Sequence, residues 1–479
     1  MYVPQVGTGA VVAIVLAAGL GKRMRSEQPK VLHPVGGRAM LVRVLEALRD
    51  AGVPAATVVV GNGAAAVRAA VEGWQASLHP LRVAFALQER QGGTGHATMR
   101  GLEALPPADG ADTLVLNGDT PLLAAAQIRD LLEAHAAGGG VATLLTAVLP
   151  DASGYGRILR DAAGSIRGIV EDRDATPAQR GIREVNTGVG CFRRTPLAAA
   201  LARCTPANAQ GELYLTDVVA DLVAGGHAVG ALATTDWAAA LGVNDRRALA
   251  EAERLLRQRT QGRLLDGGVT IVDPAHTYVA DTVRIAQDCV LEPGTILEGA
   301  CDIASGCTLG PDAHIRDSVL GPECVVRQSV VEGSRLGRGV RVGPFAHLRP
   351  GSLLGDGVEV GNFAEVKNAR LGPGVKQHHH SYIGDAEVGA AVNVGAGVIT
   401  ANFDGMQKHR TVIGEGAFLG CNANLVAPVE VGAGAVVAAG TTLTKTAPPD
   451  SLVVGRARPT VKEGWAAARR GGRARDRQP

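Results

Sequence analysis

The second half of the chain carries an aliphatic residue at every sixth position. Neither an α-helix nor a β-hairpin has a period of six, whereas a coil of short parallel strands does, because each hexapeptide forms one side of a triangular prism. We therefore predict a parallel β-coil over residues 268–456, in preference to an irregular glycine-rich β domain. The three runs are Ile285, Leu291, Leu297, Ile303, Leu309 and Ile315; Leu336, Val342, Leu348, Leu354, Val360 and Val366; and Ile413, Leu419, Leu425, Val431, Val437 and Leu443.

The period slips at three places and is interrupted at a fourth. Near Val319, Leu371 and Val388 the aliphatic spacing shifts, and we expect turns or short insertions there. The segment "ITANFDGMQKHRTV" interrupts the period for longest and is predicted to leave the coil as a loop. Long loops on rigid scaffolds commonly carry function, so this loop is a candidate for ligand binding.

The first half alternates buried-strand patterns with helical ones. The stretches "VVAIVLAAG", "ATVVVGNG" and "TLVLNGDTPLL" are typical of buried strands, and "MLVRVLEALRDAG" is typical of an amphipathic helix. This alternation predicts a Rossmann-like α/β domain whose mostly parallel sheet is covered on both faces. Ligands of such sheets lie at the carboxyl ends of strands, so the loops after Ala18 and Leu116 are the first candidate sites.

The segment between the two halves predicts a linker. "DRRALAEAERLLRQRTQGRLLDGG" is rich in helix-forming residues and ends in two glycines, which indicates a long helix. We divide the chain into a first domain of residues 1–245, a linker helix of 246–267, the coil of 268–456 and a tail of 457–479. The tail is expected to be solvated rather than to contact an anion, although it carries Arg469, Arg470, Arg473, Arg475 and Arg477.

The composition limits the partners of the chain. The 48 basic and 46 acidic residues leave a net charge of +2, which is too balanced for nucleic acid as the main partner. The seven cysteines form no CxxC pair, which favours a reduced compartment. The apolar run "AVVAIVLAA" is short, no charged segment precedes it, and no 18-residue apolar span occurs. We therefore expect a cytoplasmic protein without a membrane partner.

A glycine-rich loop follows the first predicted strand. The stretch "LAAGLGKRMRSEQPKVLHPVGG" lacks the third glycine of a dinucleotide GxGxxG loop and is not a Walker loop. Gly19 and Gly21 would let the backbone approach an anion closely, and Lys22, Arg23 and Lys30 bring positive charge. A surface loop with scattered basic residues explains the same stretch equally well.

Asp119 ends another predicted strand, where an exposed carboxylate suits Mg²⁺. Its stretch, "NGDTPLL", together with the loop above, "QGGTGHA", "GYGRI", "IVEDRDA" and "EVNTG", resembles the sugar-1-phosphate nucleotidyltransferases. With the coil behind them, the order of motifs from Val11 to Trp465 closely resembles the bifunctional N-acetylglucosamine-1-phosphate uridyltransferase / glucosamine-1-phosphate acetyltransferases. The resemblance implies that the coil is a left-handed parallel β-helix.

The resemblance implies a site for UTP and a sugar phosphate in the first domain. Arg23 and Lys30 would hold the UTP phosphates in catalysis, and Asp119 and Asn244 would bind Mg²⁺. Transfer of this kind needs positioning and charge stabilisation rather than a protein nucleophile. Asn117 stands where many members carry an aromatic residue. The implied contacts of UTP or UDP-N-acetylglucosamine are Leu16, Ala18, Gly19, Lys30, Gln88, Gly93, Thr94, Asn117, Gly118, Asp119, Gly156, Glu171, Asn186 and Asn244.

Three consecutive histidines, His378 to His380, stand in "GVKQHHHSYIGD". A metal site is one interpretation, but neighbouring side chains of an extended segment point to opposite faces, and no nearby carboxylate or cysteine completes a ligand shell. A general base is the other interpretation, because imidazole can take a proton from an ammonium near neutral pH and free the amine to attack a thioester. The resemblance places this base at His379.

The resemblance also implies the substrate contacts of the coil. Phe403 stands where Tyr is common, and Cys421 replaces a usual Ser. Acetyl-coenzyme A and UTP would be co-substrates, and a homotrimer would share its acetyl sites between subunits. Glucosamine-1-phosphate would contact Arg349, Lys367, Tyr382 and Asn393, and acetyl-coenzyme A would contact Asn402, Phe403, Lys408, Cys421, Ala439 and Arg456.

Three functions remain open from the sequence. The favoured one is an enzyme of UDP-N-acetylglucosamine synthesis that acetylates glucosamine-1-phosphate and then transfers UMP from UTP. The second is a nucleotidyltransferase with a regulatory coil, which has no reason to carry "HLRPG", "EVKNARLG" and "HHHSYIGD". The third is a trimerisation scaffold, which does not explain the Lys30 and Asp119 loops. Taken singly, Glu171 is also explained as a partner in a surface salt bridge, and Asn186 is also explained as the cap of a turn.

Overall fold

The computed structural model describes residues 11–105 and 111–475, and side chains up to residue 470. The chain divides into two compact units, Met1–Arg259 and Thr260–Pro479. The division falls within a helix that spans Arg246–Asp266. Of the five arginines predicted in a solvated tail, Arg477 lies outside the described residues.

The first unit is an α/β structure built on a twisted sheet. Its strands are Val12–Ala17 (β1), Pro34–Val35 (β2), Arg38–Ala39 (β3), Ala55–Val60 (β4), Arg82–Leu87 (β5), Asp112–Asn117 (β6), Ala142–Val148 (β7), Arg157–Arg160 (β8), Ile166–Val170 (β9), Glu184–Arg193 (β10) and Val229–Thr234 (β11). The main sheet runs β11-β7-β10-β6-β1-β4-β5, and β8 and β9 extend it beside β10. Along this path β10 is antiparallel to both neighbours and the other pairs are parallel.

Helices cover both faces of this sheet. The helices of the chain are Met40–Asp50 (α1), Ala64–Gly73 (α2), Gln75–Leu78 (α3), Gly93–Glu103 (α4), Ala125–Gly138 (α5), Pro177–Arg180 (α6), Arg194–Arg203 (α7), Asp217–Ala224 (α8), Arg246–Asp266 (α9) and Trp465–Arg475 (α10). Short 3-10 turns span Lys22–Met24, Lys30–Leu32, Trp237–Ala240 and Pro274–His276. In β1, Val15 packs into one buried cluster and Ile14 into another. Successive side chains of a strand point to opposite faces, so both faces of the sheet are buried, as the apolar pattern predicted.

The second unit is a hexapeptide-repeat β-helix. Pairs such as Leu291 with Leu309 and Val342 with Val360 stack in parallel register from one coil to the next. The aliphatic positions of the six-residue period form one continuous core. The strands are Thr270–Ile271, Tyr278–Val279, Arg284–Ile285, Val290–Leu291, Ile296–Glu298, Asp302–Ile303, Thr308–Leu309, His314–Arg316, Val319–Leu320, Val325–Val326, Val330–Glu332, Arg335–Leu336, Arg341–Val342, His347–Leu348, Leu353–Leu354, Glu359–Lys367, Arg370–Leu371, Lys376–Gly384, Ala386–Val388, Asn393–Val394, Ile399–Ala401, Thr411–Ile413, Phe418–Leu419, Asn424–Val426, Val429–Val431, Val436–Val437, Thr442–Leu443 and Leu452–Val453.

The slips in the six-residue period are corners shortened by one residue, so the turns expected there are confirmed and the alternative of short insertions is wrong. Strands continue through all three positions, Val319, Leu371 and Val388. Just before each strand, a residue with left-handed backbone turns the corner: Asp317 at φ 48, Asn368 at φ 46 and Asp385 at φ 48. Asp and Asn tolerate this conformation better than most residues, which lets a corner close with one residue fewer.

The predicted loop leaves the coil between the strands Ile399–Ala401 and Thr411–Ile413. Phe403 and Lys408 form an isolated antiparallel bridge across it. The amide of His409 donates to the carbonyl of Asn402 at 2.8 Å and closes the base of the loop. The loop is thus a small closed excursion that starts and ends on the coil.

Candidate functional site

A cavity of about 100 Å³ lies in the first unit at the carboxyl end of β6. Five residues predicted from the sequence line it, namely Leu16, Thr94, Asn117, Glu171 and Asn186. Sequence reasoning missed the rest of the lining; Ile169 and Gly188 belong to the motifs "IVEDRDA" and "EVNTG" but were not singled out, and the others come from segments without a quoted motif. The missed residues are Leu144, Ile169, Gly188, Val189, Gly190, Phe192, Leu215, Thr216 and Val219.

A bulge in β10 shapes this cavity. The register of β10 against β7 shifts between Asn186 and Val189. The side-chain oxygen of Asn186 accepts the amide of Gly188 at 3.1 Å, so Asn186 also makes the local turn bond expected of a cap. Gly188 has φ 77, and a Cβ there would lie 2.2 Å from Nδ2 of Asn117. The bulge therefore brings the ends of β6 and β10 together, as bulges often do beside active sites.

Glu171 brings a half-buried carboxylate to the cavity. The hydroxyl of Thr216 donates to its Oε1 at 3.1 Å. Burial, assisted by the negative charges of nearby aspartates, raises the pKa of Glu171 above its ordinary value. The neighbouring Asp172, rather than Glu171, pairs with Arg157 at 2.9 Å. Among the residues that the structure describes, Glu171 forms no salt bridge, and it presents an acceptor to whatever enters the cavity.

Lys30, Asp119 and Asn244 form a second cluster in this unit. The Lys30 ammonium forms a salt bridge with Asp119 and donates to Oδ1 of Asn244 at 3.1 Å. A carboxylate oxygen of Asp119 and the amide oxygen of Asn244 thus converge on a single cation. Gly21 makes this approach possible, because its φ is 59 and a Cβ there would lie 2.8 Å from Cβ of Lys30.

The remaining predicted residues of this unit support the loops around the cavity. Nε2 of Gln88 donates to the carbonyl of Gly93 at 3.1 Å, at the start of α4. A Cβ at Gly93 would lie 2.5 Å from the carbonyl of Leu213. Three other predicted residues use their backbone groups. The carbonyl of Ala18 accepts from the side chain of Gln91, and the amide of Gly118 donates to the carbonyl of Leu16. The carbonyl of Gly156 accepts from the amide of Asn186.

Two predicted residues are not drawn into either cluster. A Cβ at Gly19 would meet no atom within 4 Å, so its surroundings are open. Arg23 is exposed in the turn Lys22–Met24, and it forms no ion pair within the described residues. Both positions remain accessible to a ligand.

In the second unit, Lys367 and Lys408 lie next to each other. The ammonium of Lys408 is the main cause of a lowered pKa at Lys367, and Arg349 adds to it. Nδ2 of Asn402 reaches Oη of Tyr382 at 3.5 Å. The structure therefore brings Lys367, Tyr382, Asn402 and Lys408 into one region. Two mutually repelling cations are stabilised by an anion between them, so this region suits a phosphate.

The three histidines differ in their surroundings. His378 pairs with Glu359 at 2.8 Å, and its ring meets the ring of His379 edge-on with the centroids 6.2 Å apart. The exposed imidazole of His379 has no hydrogen-bond partner in the described part of the chain. His380 is also exposed. The imidazole of His379 is thus open to an incoming group.

Asn393 lies apart from the lysine region, whereas Arg349 is near enough to Lys367 to help lower its pKa. Arg349 donates to Glu365 at 2.9 Å. Asn393 pairs with Lys376 and Phe418, whereas Tyr382 pairs with Ile399 in a different column of strands. The structure of one chain therefore distributes the predicted sugar-phosphate contacts over two columns.

Cys421, Ala439 and Arg456 form a row towards the end of the coil, whereas the other predicted coenzyme contacts, Asn402, Phe403 and Lys408, lie at another corner, where the loop departs. Cys421 and Ala439 lie at successive corners, and Arg456 donates to the carbonyl of Ala439 at 2.5 Å. Phe403 is 60% exposed and Cys421 is exposed, so both departures from the family pattern face solvent.

Neither a three-ligand metal cluster nor a membrane-spanning helix occurs in the described residues. Within residues 11–105 and 111–475, no group of three or more His, Cys, Asp or Glu is placed to hold a metal ion. No helix in the same part of the chain is long and apolar enough to cross a membrane.

Comparison with known proteins covers both units. Residues 13–266 match the MobA-like NTP transferase domain, and residues 410–445 match the bacterial transferase hexapeptide repeat. The chain is 48% identical over 453 residues to the bifunctional protein GlmU of Geobacillus sp. (strain WCH70), covering 95% of this chain and 97% of that protein. The chain belongs to the bifunctional GlmU family. The GlmU proteins of Heliobacterium modesticaldum and Geobacillus thermodenitrificans are each 47% identical to it, over 95% and 96% of this chain and 97% and 98% of theirs.

Membership of the GlmU family decides between the alternatives that the sequence left open. The match extends through the nucleotidyltransferase unit and the coil together, so the favoured bifunctional interpretation is confirmed over a regulatory coil or a scaffold. The chain is an enzyme with uridyltransferase and acetyltransferase activities. Its substrates are small molecules, a sugar phosphate and a nucleotide.

Proposed function

We propose that each unit carries one reaction at the residues described above. The coil acetylates glucosamine-1-phosphate with acetyl-coenzyme A, and the first unit then joins N-acetylglucosamine-1-phosphate to UMP from UTP. One observation carries the proposal: each unit has its own cationic cluster beside a separate polar site. The cationic cluster lies at Lys30 in the first unit and at Lys367 in the coil. We place both reactions in the cytoplasm.

In the first unit, the cavity would receive the sugar, and the loop after β1 would bind the nucleotide. Glu171 and Asn186 offer acceptors to sugar hydroxyl or amide groups. Lys30 and Arg23 would neutralise the phosphates, so that the oxygen of the sugar phosphate attacks the α-phosphorus in line and pyrophosphate leaves. This division of labour needs no protein nucleophile.

The residues at Lys30 fit a magnesium ion. The carboxylate of Asp119 and Oδ1 of Asn244 are hard oxygen donors, and both already point at one cation, the Lys30 ammonium. Mg²⁺ commonly takes one or two protein oxygens and completes its shell with water and substrate phosphates. Asp119 and Asn244 would hold the ion. When bound, it would neutralise charge on the phosphates of UTP.

In the coil, His379 would act as the general base. Its imidazole is exposed and free of protein hydrogen bonds in the described residues, so it is available to take a proton from the amine of glucosamine-1-phosphate. Lys367, with Arg349 and Tyr382, would hold the sugar phosphate, and Lys408, with Arg456, would hold the coenzyme. The amine then attacks the thioester carbonyl, and the coenzyme thiolate leaves.

A homotrimer would complete the acetyl site. Tyr382 and Asn393 lie in different columns of strands, so neighbouring subunits could contribute them to one site. Phe345 and Phe363 stack at 5.5 Å and remain 52% and 60% exposed, which is costly on an isolated chain. Light scattering on the purified chain should give three times the chain mass of 49.0 kDa. A monomer with full acetyl transfer would contradict the shared site.

Two substitutions test the assignment of reactions to units. His379→Ala should abolish acetyl transfer and spare uridylyl transfer, and Asp119→Ala should do the reverse. His378→Ala is the matched control, because it removes a neighbouring imidazole that pairs with Glu359 instead. Loss of both activities in a folded His379→Ala or Asp119→Ala protein would contradict the separation of the sites.

A substrate-omission experiment tests the order of the reactions. The purified protein receives glucosamine-1-phosphate, acetyl-coenzyme A, UTP and Mg²⁺, and UDP-N-acetylglucosamine is measured. Omitting acetyl-coenzyme A should stop product formation, and adding N-acetylglucosamine-1-phosphate should restore it. Formation of a nucleotide sugar from glucosamine-1-phosphate at an equal rate without acetyl-coenzyme A would contradict the order.

A further inference from the structure

Asp385 is a buried carboxylate at a corner of the coil, only 9% exposed. Its Oδ1 accepts from Nδ2 of Asn368 at 2.5 Å, and its Oδ2 accepts from Nδ2 of Asn402. These three residues occupy the same corner of successive coils, since Lys367 pairs with Gly384 and Tyr382 with Ile399. A carboxylate is thus held between two carboxamides in a vertical ladder.

The backbone of Asp385 also reaches the loop that carries Lys408. Its carbonyl accepts the amide of Thr411 at 3.2 Å, where the loop returns to the coil. Its side chain holds Asn402, where the loop departs. One residue therefore fastens both ends of the loop.

We propose that Asp385 is a positioning residue for acetyl transfer, which orients Asn402 and fixes the loop that presents Lys408 to the coenzyme. The inference rests on the proposed function of the coil and goes beyond it, since Asp385 is not among the residues that would touch either substrate. It acts through its neighbours.

The carboxylate decides which end of the Asn402 amide faces the ligand. An ionised carboxylate only accepts hydrogen bonds, so the NH₂ group of Asn402 must point at Asp385. The same NH₂ group reaches Oη of Tyr382 at 3.5 Å. No described protein group donates to Oδ1 of Asn402, which leaves that oxygen to accept an N–H, such as an amide of the coenzyme arm.

The charge of Asp385 also reaches the phosphate region. Lys367 faces the cations Lys408 and Arg349, which lower its pKa, and Asp385 opposes them. Arg349 is itself paired with Glu365 and lies near Tyr382. Without the carboxylate, the pKa of Lys367 would fall further, and the ammonium that binds phosphate would be lost at a lower pH.

Asp385→Asn in the full chain is the test. Asn has the same shape and tolerates the left-handed backbone, but it donates a hydrogen bond on one side and removes the charge. Asp317→Asn is the matched control, because Asp317 turns the same corner at φ 48 and its carboxylate accepts only the amide of Ala300 at 2.8 Å among the described groups. Asn402→Ala, alone and combined with Asp385→Asn, completes a double-mutant cycle.

The expected result is a rise in KM for acetyl-coenzyme A of about tenfold or more in Asp385→Asn, since a hydrogen bond to a charged group is lost. The alkaline limb of the acetyl-transfer pH profile should move to lower pH. Asp317→Asn should change neither quantity, and uridylyl transfer should persist in every variant. In the Asn402→Ala background, Asp385→Asn should add little to KM, because the two residues act together.

Three outcomes separate the possibilities. The inference is overturned if Asp385→Asn behaves like Asp317→Asn in both the KM for acetyl-coenzyme A and the pH profile. Full additivity with Asn402→Ala also overturns it, because Asp385 would then act independently of that amide. Absence of acetyl transfer in the unsubstituted chain would instead overturn the proposed function of the coil.

Discussion

Replacing Lys30 by methionine should strengthen the binding of a divalent cation to the first unit while weakening uridylyl transfer. The Lys30 ammonium occupies the point where Asp119 and Asn244 converge, so it competes with a metal ion for the same two oxygens. Methionine has a similar length and no charge. The two effects have opposite signs, because the lysine is displaced when the metal enters but is needed afterwards to neutralise phosphate.

The magnitude follows from the partial burial of this ion pair. The side chains of Lys30 and Asp119 are each 15% exposed, so water screens them less than it screens an open surface pair. Exposed pairs contribute less than about 1 kcal/mol, and hydrogen bonds to charged groups about 1.5–3 kcal/mol. Taking about 1–2 kcal/mol for Lys30, and about 1.4 kcal/mol per tenfold, we expect Mn²⁺ to bind about 5–30-fold more tightly to Lys30→Met.

Titration of the purified chain with Mn²⁺, followed by electron paramagnetic resonance, measures this affinity without turnover. Lys22→Met is the control, because Lys22 is exposed in the same loop and its replacement removes the same charge. Its effect should be less than about twofold, since solvent screens it. Unchanged or weaker Mn²⁺ binding in Lys30→Met would refute the competition between ammonium and metal.

Three further predictions follow from the structure. Cys421 is exposed while the other six cysteines are buried or half-buried, so one thiol should react quickly with a thiol reagent, and Cys421→Ser should remove this phase; acetyl-coenzyme A should slow the reaction if Cys421 lies in its site. The hydrogen bonds from Arg160 hold the pKa of Glu184 below its ordinary value, so its stabilisation is present above the unfolded-state pKa and is lost as the pH falls through the folded value. Glu184→Gln should therefore lower the unfolding temperature near neutral pH more than in acid, and an equal loss in acid would contradict this. Leu348 is fully buried between Val331 and Val366, so Leu348→Ala should cost about 2–5 kcal/mol in urea unfolding, and a loss below about 0.5 kcal/mol would contradict the stacked core.

The core of the coil was predictable because one rule repeats. Each aliphatic at the six-residue spacing faces inward, so the spacing identifies the large core side chains. It did not single out the buried residues two positions earlier, such as Cys289, Cys307 and Ala313. The turns at the slips were predicted, but the alternative of an insertion was wrong, because the spacings Ile315–Leu320, Val366–Leu371 and Ile383–Val388 are five residues rather than more than six. Only the backbone of Asp317, Asn368 and Asp385 shows that the corner closes in the left-handed region.

The site residues were predictable where a local motif carries them and not where the contact is distant. Asn117 and Glu171 belong to the motifs "NGDTPLL" and "IVEDRDA" and do line the cavity. Thr216, which donates to Glu171, lies 45 residues away in sequence, and no spacing rule connects the two. Asp385 stands in the motif "SYIGD" without a predicted role, because its partners Asn368 and Asn402 become neighbours only when the coils stack.

Many of the proposed site residues lie where the backbone leaves regular pairing. In the first unit they lie at the bulge of Asn186 and in the loop after β1, and in the coil the proposed coenzyme contacts lie at corners and in the loop after Asn402, although His379 and Tyr382 stand in a paired strand. Inside a ladder, a polar side chain that faces the core must find partners or destabilise the fold. At a corner it faces solvent, so Phe403 and Cys421 can depart from the family pattern without disturbing the core. Asp385 is an exception, because its carboxylate is buried at its corner. The side-chain amides of Asn368 and Asn402 donate to this carboxylate and make its burial tolerable, and the carboxylate in turn holds both amides in place.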